Sequence, residues 1–184
     1  MTRITKQKAC SLLFLLFLVL AAFISLHLAA QQKAPAQLPL PEMQRLAKLY
    51  VGRWEYTETY PHGGVNTGVY ISEPGPGGNS IFNHFHSKGP VGEFDGVLVM
   101  TWDQKENAYK AYALGDSFPG ALVETGQWEG DSLVFRSEMS VGGMRIAIRN
   151  TTRFLEGGKL SSDQFSSANG KPEALLVHVE AVKK

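Results

Sequence analysis

Ten short segments in which apolar and polar residues alternate constrain this chain more than any other feature of its sequence. The first, Val51–Tyr60, places Trp54, Tyr56 and Tyr60 on one face of a strand and charged or hydroxyl side chains on the other. Glycine- and proline-rich turn signals separate the segments, as in hairpins between antiparallel neighbours. The predicted strands are Gly52–Tyr60, Val65–Ser72, Ser80–Lys88, Glu93–Trp102, Ala108–Ser117, Ala121–Glu129, Ser132–Val141, Met144–Glu156, Lys159–Ala168 and Glu173–Val182.

The connections between these segments favour one closed sheet. No helical pattern interrupts them, so the crossover connections that parallel strands need are not expected. Turns at intervals of about 8–12 residues are typical of sandwiches and barrels, and one dry and one wet face in each strand favours a meander closed into a barrel. The sequence therefore predicts an all-β, ten-stranded up-and-down antiparallel barrel, preceded by a short helix from Pro41 to about Leu49.

Alternation also predicts which side chains face the barrel interior. We expect Trp54 to close one end of the barrel beneath the helix, because large aromatic residues most often serve the core. The helix should pack through Met43, Leu46, Ala47 and Tyr50. The predicted inward residues of the strands are Trp54, Tyr56, Val69, Ile71, Phe82, His84, His86, Phe94, Leu98, Met100, Trp102, Leu122, Trp128, Leu133, Phe135, Met139, Met144, Ile146, Ile148, Leu175, Val177 and Val179.

The N-terminal segment has the pattern of a secretory signal. Residues 1–30 contain a basic start, the wholly apolar run Leu12–Ile24 and an ending of small residues. We expect cleavage after Ala30, with a second site after Ala36. The alternative is an uncleaved membrane anchor, because Leu12–Ala30 has about the length that spans a bilayer. Residues 31–41 then form a flexible spacer, and 42–184 form the barrel domain of an exported protein, periplasmic or extracellular.

Composition excludes several classes of function. The single cysteine, Cys10, lies in the predicted leader, so a disulfide framework and a thiolate nucleophile are not expected in the mature chain. The whole chain has 18 basic and 17 acidic residues. Without Arg3, Lys6 and Lys8 of the leader, 15 basic residues remain, which gives a net charge of −2. Such a chain has no electrostatic footprint for nucleic acid. Its oligomeric state is not encoded in any recognisable pattern.

Four stretches of the barrel region carry a resemblance to a known group of proteins. They are Val51–Trp54, Gly96–Asp103 followed by Tyr109, Gly115–Ser117 and Gly126–Phe135. In order and spacing they resemble the calycins, especially fatty-acid-binding-protein-like barrels, and most of all a bacterial family of exported proteins of unknown function. The resemblance spans roughly Leu46 to Val182. It implies a calycin-like barrel and brings no established activity with it.

The chain is also distantly similar to the nitrobindins, ten-stranded barrels that hold haem through a histidine near the C-terminal end. His178 lies in the last predicted strand, which invites this comparison. Alternation, however, places His178 on the face opposite Val177 and Val179. We therefore expect neither haem nor a metal cofactor.

Six side chains on the predicted inward face suggest a binding site for a small apolar or amphipathic molecule. Apolar residues with a few polar tips are the usual lining of such a site. Water or a ligand head group would supply partners for the two histidines. The candidate residues are Tyr56, Phe82, His84, His86, Phe94 and Met100.

Two other classes of function remain open at this point. The barrel could be a structural or stress-related envelope protein without a ligand. It could also be an enzyme that uses Glu58 or Glu124 together with His84 and His86, since these are the only acids that alternation places on the apolar face. We interpret both acids as barrel-rim residues with their carboxylates in water. The histidine pair lacks a visible third ligand and makes a poor metal site.

Overall fold

Ten antiparallel strands form a closed barrel in the computed structural model, which describes residues 40–116 and 118–184 apart from the side chains of Phe118 and Pro119. The predicted signal segment and nearly all of the predicted spacer lie outside these residues. Each strand pairs with its neighbours in the sequence, and the last strand pairs with the first. The elements are α1 (Pro41–Tyr50), β1 (Gly52–Thr59), β2 (Val65–Pro74), β3 (Ser80–Gly89), β4 (Gly92–Asp103), β5 (Ala108–Gly115), β6 (Phe118–Glu129), β7 (Ser132–Val141), β8 (Met144–Leu155), β9 (Lys159–Ala168) and β10 (Ala174–Lys183). The predicted fold class is confirmed.

The short helix α1 covers one end of the barrel. Pro41 occupies its first turn, where a missing backbone N–H leaves no hydrogen bond unmade. Met43, Leu46 and Tyr50 share one helical face and are buried, as the helical spacing predicts. Among residues 40–116 and 118–184, no helix is long and apolar enough to cross a membrane.

Aromatic side chains of the barrel attach α1 to the strands. Trp54 of β1 is 1% exposed, and its indole Nε1 donates to the Tyr50 carbonyl oxygen at 2.8 Å. The Tyr109 hydroxyl donates to the Glu42 carbonyl oxygen at 3.1 Å. These bonds provide partners for helix carbonyls at both ends of α1 and fix it over the barrel. Trp54 therefore closes the helix end, as predicted.

The hydrophobic core cluster includes the buried face of α1 and strand residues beneath it. Ile81, Met100 and Leu133 are fully buried there, together with the helix residues and Trp54. The other end of the barrel, where β1 ends and β2 begins, has no helix over it among the described residues. The molecule thus has a packed helix end and an opposite, open end.

The predicted faces are wrong for two neighbouring strands, β2 and β3. Tyr70 pairs with Trp54 across β1 and β2, so Val69 and Ile71 lie on the outer face, and Ile71 is 40% exposed. In β3 the buried residues are Ile81, Asn83 and Ser87, which places Phe82, His84 and His86 outside. The inward face of both strands thus includes polar residues such as Asn66, Ser72, Asn83 and Ser87, and the outer face includes Ile71 and Phe82.

One further face differs in β10. The pairing between β9 and β10 is irregular between Leu175 and Val177. Leu175 is thereby paired with Phe165. The Phe165 ring lies on the outer face, because it is 4.3 Å from the guanidinium carbon of the outer residue Arg149. Val177 and Val179 face inward as predicted, whereas Leu175 lies on the outer face.

Candidate functional site

A cavity of about 230 Å³ lies inside the barrel. It extends from Tyr50, the last residue of α1, to the partly exposed Glu58 near the open end of β1. The strands on either side of the β1–β10 seam form its wall. Its lining residues are Tyr50, Tyr56, Glu58, Tyr70, Asn83, Phe85, Leu98, Thr152, Leu160, Ser162 and Val179. The lining mixes aromatic, aliphatic and polar side chains, which is typical of a small-molecule site.

Two aromatic rings lie flat against glycines, which keeps the centre of the barrel free. Tyr56 pairs with Gly68 across strands, and a Cβ on Gly68 would come within 2.3 Å of the Tyr56 ring. Phe85 pairs with Gly96 in the same way, with a corresponding distance of 2.2 Å. A larger residue at either glycine would push the ring off the wall and into the cavity. These pairs therefore shape the cavity.

Glu58 is held in position by hydroxyl groups at the outer end of the cavity. Its Oε2 accepts hydrogen bonds from the Ser87 hydroxyl at 2.6 Å and from the Tyr60 hydroxyl at 3.0 Å. Asn66 is fully buried beside this group, 3.4 Å from Ser87 Oγ, and it also donates to the Gly92 carbonyl oxygen. The network connects the carboxylate to the turn between β3 and β4. Burial and the nearby Glu58 charge raise the pKa of Tyr60 to about 12.

The Tyr70 hydroxyl is buried and has no hydrogen-bond partner among the described residues. The Tyr70 ring stacks on Trp54, with 5.5 Å between ring centroids, and it is tilted against Tyr56 at 5.9 Å. Burial raises the pKa of Tyr70 well above its ordinary value, so the phenol is protonated at any physiological pH. A buried polar group without a partner costs roughly 1–3 kcal/mol. The site thus carries an unused hydroxyl in the wall of a cavity.

Glu124 is a second inward carboxyl group, and it is only 5% exposed. Its burial raises the pKa to about 7, while the hydrogen bond from Asn150 acts in the opposite direction. Asn150 Nδ2 donates to Glu124 Oε1 at 2.7 Å. Burial, assisted by the Glu124 charge, raises the pKa of Tyr50 to about 12. The inward face predicted for Glu124 is correct, but its interpretation as a solvated rim residue is wrong.

Three predicted ligand residues face inward. Tyr56 lines the cavity, and its hydroxyl donates to the His86 carbonyl oxygen at 3.1 Å. Met100 faces inward too, but it is fully buried in the packed core beneath α1. Phe94 pairs with the inward Ser87 near the open end and is not among the lining residues. Of these three, the structure brings only Tyr56 to the cavity.

The other three predicted residues, Phe82, His84 and His86, lie outside the barrel. His86 is half exposed, and its Nδ1 lies 2.9 Å from Asp95 Oδ1. His84 belongs to an outer groove beside Ile71 and Val97. The predicted inward orientation of all three is therefore wrong. The catalytic arrangement of Glu58 or Glu124 with the histidines is not formed, because the acids and the histidines lie on opposite faces of the wall.

The structure does not place a histidine haem ligand in the cavity. His178 is on the outer face, where its Nδ1 lies 2.7 Å from Asp163 Oδ1. The cavity lining contains no histidine, cysteine or methionine. The residues present therefore do not fit a haem group held through histidine. In the described part of the chain, no three His, Cys, Asp or Glu side chains are grouped so as to hold a metal ion.

Sequence reasoning missed most of the polar lining. Tyr70, Asn83, Phe85, Thr152 and Ser162 all line the cavity. One signal was present, since the inward positions of β2 include Asn66, Tyr70 and Ser72, and those of β3 include Asn83 and Ser87. Such a set fits a wet interior as well as a solvated exterior.

Comparison with known proteins identifies similar folds. The crystal structure of Rv2717c from M. tuberculosis is 13% identical over 79% of this chain and 99% of that chain, with a TM-score of 0.58. The S-type phycobiliprotein lyase CPES from Guillardia theta is 12% identical over 77% of this chain and 92% of that chain, with a TM-score of 0.52. No family model and no curated protein matches the sequence. These likenesses support a calycin-like barrel fold and nothing finer.

Proposed function

We propose that this protein binds one small amphipathic molecule inside its barrel and does so outside the cytoplasm. The buried, unpartnered Tyr70 hydroxyl in the cavity wall carries the proposal. The Tyr70 hydroxyl lies in the wall of the cavity, where a bound molecule can reach it, and pairing it would remove the free-energy cost of leaving a buried polar group without a partner. A bound molecule would supply the missing hydrogen bond and the missing contacts.

The size of the cavity limits the ligand. Its volume of about 230 Å³ corresponds to about eight waters at ~30 Å³ each. This is below the 300–1,000 Å³ of most drug-sized sites. A long-chain fatty acid would not fit within it. The phycobiliprotein lyase of similar fold is consistent with small-molecule binding in such a barrel, although the likeness carries no ligand identity.

Tyr70→Phe is expected to stabilise the ligand-free protein and weaken ligand binding. It removes a buried hydroxyl that has no partner, so the free energy of unfolding should rise by roughly 1 kcal/mol. Tyr56→Phe is the matched control, because the Tyr56 hydroxyl is bonded to the His86 carbonyl oxygen. That variant should lose stability instead. Urea unfolding of both variants and wild type measures these changes.

The binding test uses an uncharged, environment-sensitive apolar dye, N-phenyl-1-naphthylamine. Saturable binding of this dye that weakens in Tyr70→Phe would support the cavity as the site. The double variant His84→Leu/His86→Leu is a control, since both histidines lie outside and binding should not change. Absence of saturable binding by a broad panel, together with a Tyr70→Phe variant no more stable than wild type, would favour a structural envelope protein.

Export is proposed from the sequence of residues 1–30. The basic start and the apolar run Leu12–Ile24 predict that N-terminal sequencing of envelope material will begin at Gln31, or at Gln37 if the second site is used. Fractionation of cells that express the full chain provides the sample. A protein that still begins at Met1 and remains with the membrane would instead establish the uncleaved anchor.

A further inference from the structure

We propose that the molecule bound in the cavity is a small organic cation, an amine or quaternary ammonium compound with an apolar body. Glu58 and the aromatic rings of the wall would hold its charged group. This inference rests on the proposed function of the cavity and specifies the chemistry of its ligand.

The charge of the lining supports a cation. Of the eleven lining residues, Glu58 is the only acid, and none is lysine, arginine or histidine. An anionic head group beside Glu58 would meet a like charge without a compensating cation in the lining, which costs free energy. A cation would meet an opposite charge. The lining therefore discriminates by the sign of the ligand charge.

Glu58 has unused hydrogen-bonding capacity. A carboxylate can accept about four hydrogen bonds, and both bonds to Glu58, from Ser87 and Tyr60, go to Oε2. Within residues 40–116 and 118–184, no hydrogen bond reaches Glu58 Oε1. Nor does an ion pair there involve Glu58, because the basic side chains that form salt bridges do so with other acids. A ligand ammonium can therefore bind to Oε1 without displacing a partner.

The aromatic rings provide a second attraction for positive charge. Tyr50, Tyr56, Tyr70 and Phe85 all contribute to the lining. Aromatic faces attract ammonium groups within about 6 Å of the ring centroid, and clusters of such rings with an acid recognise alkylated amines. The rings are also apolar enough to contact the body of the ligand. Leu98, Leu160 and Val179 extend this apolar surface deeper in the barrel.

The test compares three probes with one aromatic body and different charge, namely phenethylamine, 2-phenylethanol and phenylacetate. Isothermal titration at pH 7 measures the dissociation constant of each for wild type and for Glu58→Gln. We expect wild type to bind phenethylammonium at least about tenfold more tightly than the alcohol, through a charge-assisted hydrogen bond. Phenylacetate should bind least. In Glu58→Gln, the affinity for the cation should fall to within about twofold of that for the alcohol.

The control variant is Glu55→Gln. Glu55 lies on the outer face of β1 and pairs with Lys184 at 3.0 Å, so its loss changes the net charge equally without touching the cavity. It should retain the preference for the cation. Binding of 2-phenylethanol by Glu58→Gln shows that this variant is folded. If Glu58→Gln does not fold, the order of the three dissociation constants measured with wild type still tests whether the cavity prefers a cation.

The possible results separate this inference from the proposed function. If the alcohol or the dye binds saturably but the cation has no advantage, or phenylacetate binds best, the cation proposal fails and the binding function stands. If the advantage of the cation persists in Glu58→Gln, the role of Glu58 is refuted. If none of the probes binds, both proposals fail.

Discussion

Replacing Trp54 with alanine should destabilise the barrel by about 3–5 kcal/mol, the usual cost of a large-to-small change at a buried aromatic residue. Trp54 is 1% exposed and stacks on Tyr70. It also provides the hydrogen bond to the Tyr50 carbonyl oxygen that fixes the end of α1. The substitution would therefore open a void beneath the helix, and it would also release the last helical turn. Urea or thermal unfolding measures the change.

Trp54→Phe is the intermediate variant. Phenylalanine keeps an aromatic ring beneath the helix but loses the indole N–H and part of the ring volume, so the loss of stability should be below that of Trp54→Ala. The control is a change at Arg53, because this residue lies on the outer face of the same strand. Arg53→Ala should have little effect. Equal stability of Trp54→Ala and wild type would contradict the role of Trp54 as the closing residue.

Glu124→Gln should make the protein more stable above neutral pH, by about 3 kcal/mol when the carboxyl of wild type is fully ionised. Burial raises the pKa of Glu124 from 4.5 in the unfolded chain to about 7 in the fold. Between these values the folded state holds a proton that the unfolded state has lost, so the stability of wild type falls as pH rises. Glutamine removes this titration and can keep the hydrogen bond from Asn150.

The measurement is the difference in free energy of unfolding between Glu124→Gln and wild type at several pH values. Near pH 4.5 that difference should be small. It should grow between pH 5 and 7, and it should level off above pH 8 in favour of the variant. Glu73→Gln is the control, because Glu73 is exposed on β2. The free energy of unfolding of this variant should follow that of wild type at every pH. A difference that does not vary with pH would show that Glu124 is not buried as described.

The sequence was sufficient for the number, order and direction of the strands. Each strand ends at a turn signal, and turn chemistry is local, so no tertiary information was needed to place residues such as Gly142 and Gly143 between β7 and β8. The buried face of the helix was also predictable from local information, because Met43, Leu46 and Tyr50 recur at the three- and four-residue spacing of an α-helix.

The faces of β2 and β3 could not be predicted from alternation alone. The rule assumes that the interior is drier than the exterior, whereas around this cavity the interior carries Asn83 and Ser87 and the exterior carries Ile71 and Phe82. Both histidines of β3 were assigned to the wrong side for this reason. Glu58 and Glu124 were placed correctly, since the aromatic residues of β1 and β6 mark the inward side without ambiguity.

The pairing of β1 with β10 has a consequence for the way this chain reaches its native state. Every other strand pair joins sequence neighbours and can form as a local hairpin, but Trp54 must pair with Lys183 from the far end of the domain. Closing so long a loop is entropically costly and slow, so we expect it to come late. Until then the growing sheet has two unpaired edges, β1 and the newest strand, and each can pair with another chain. The last ten residues of the barrel thus determine when the protein ceases to be prone to aggregation.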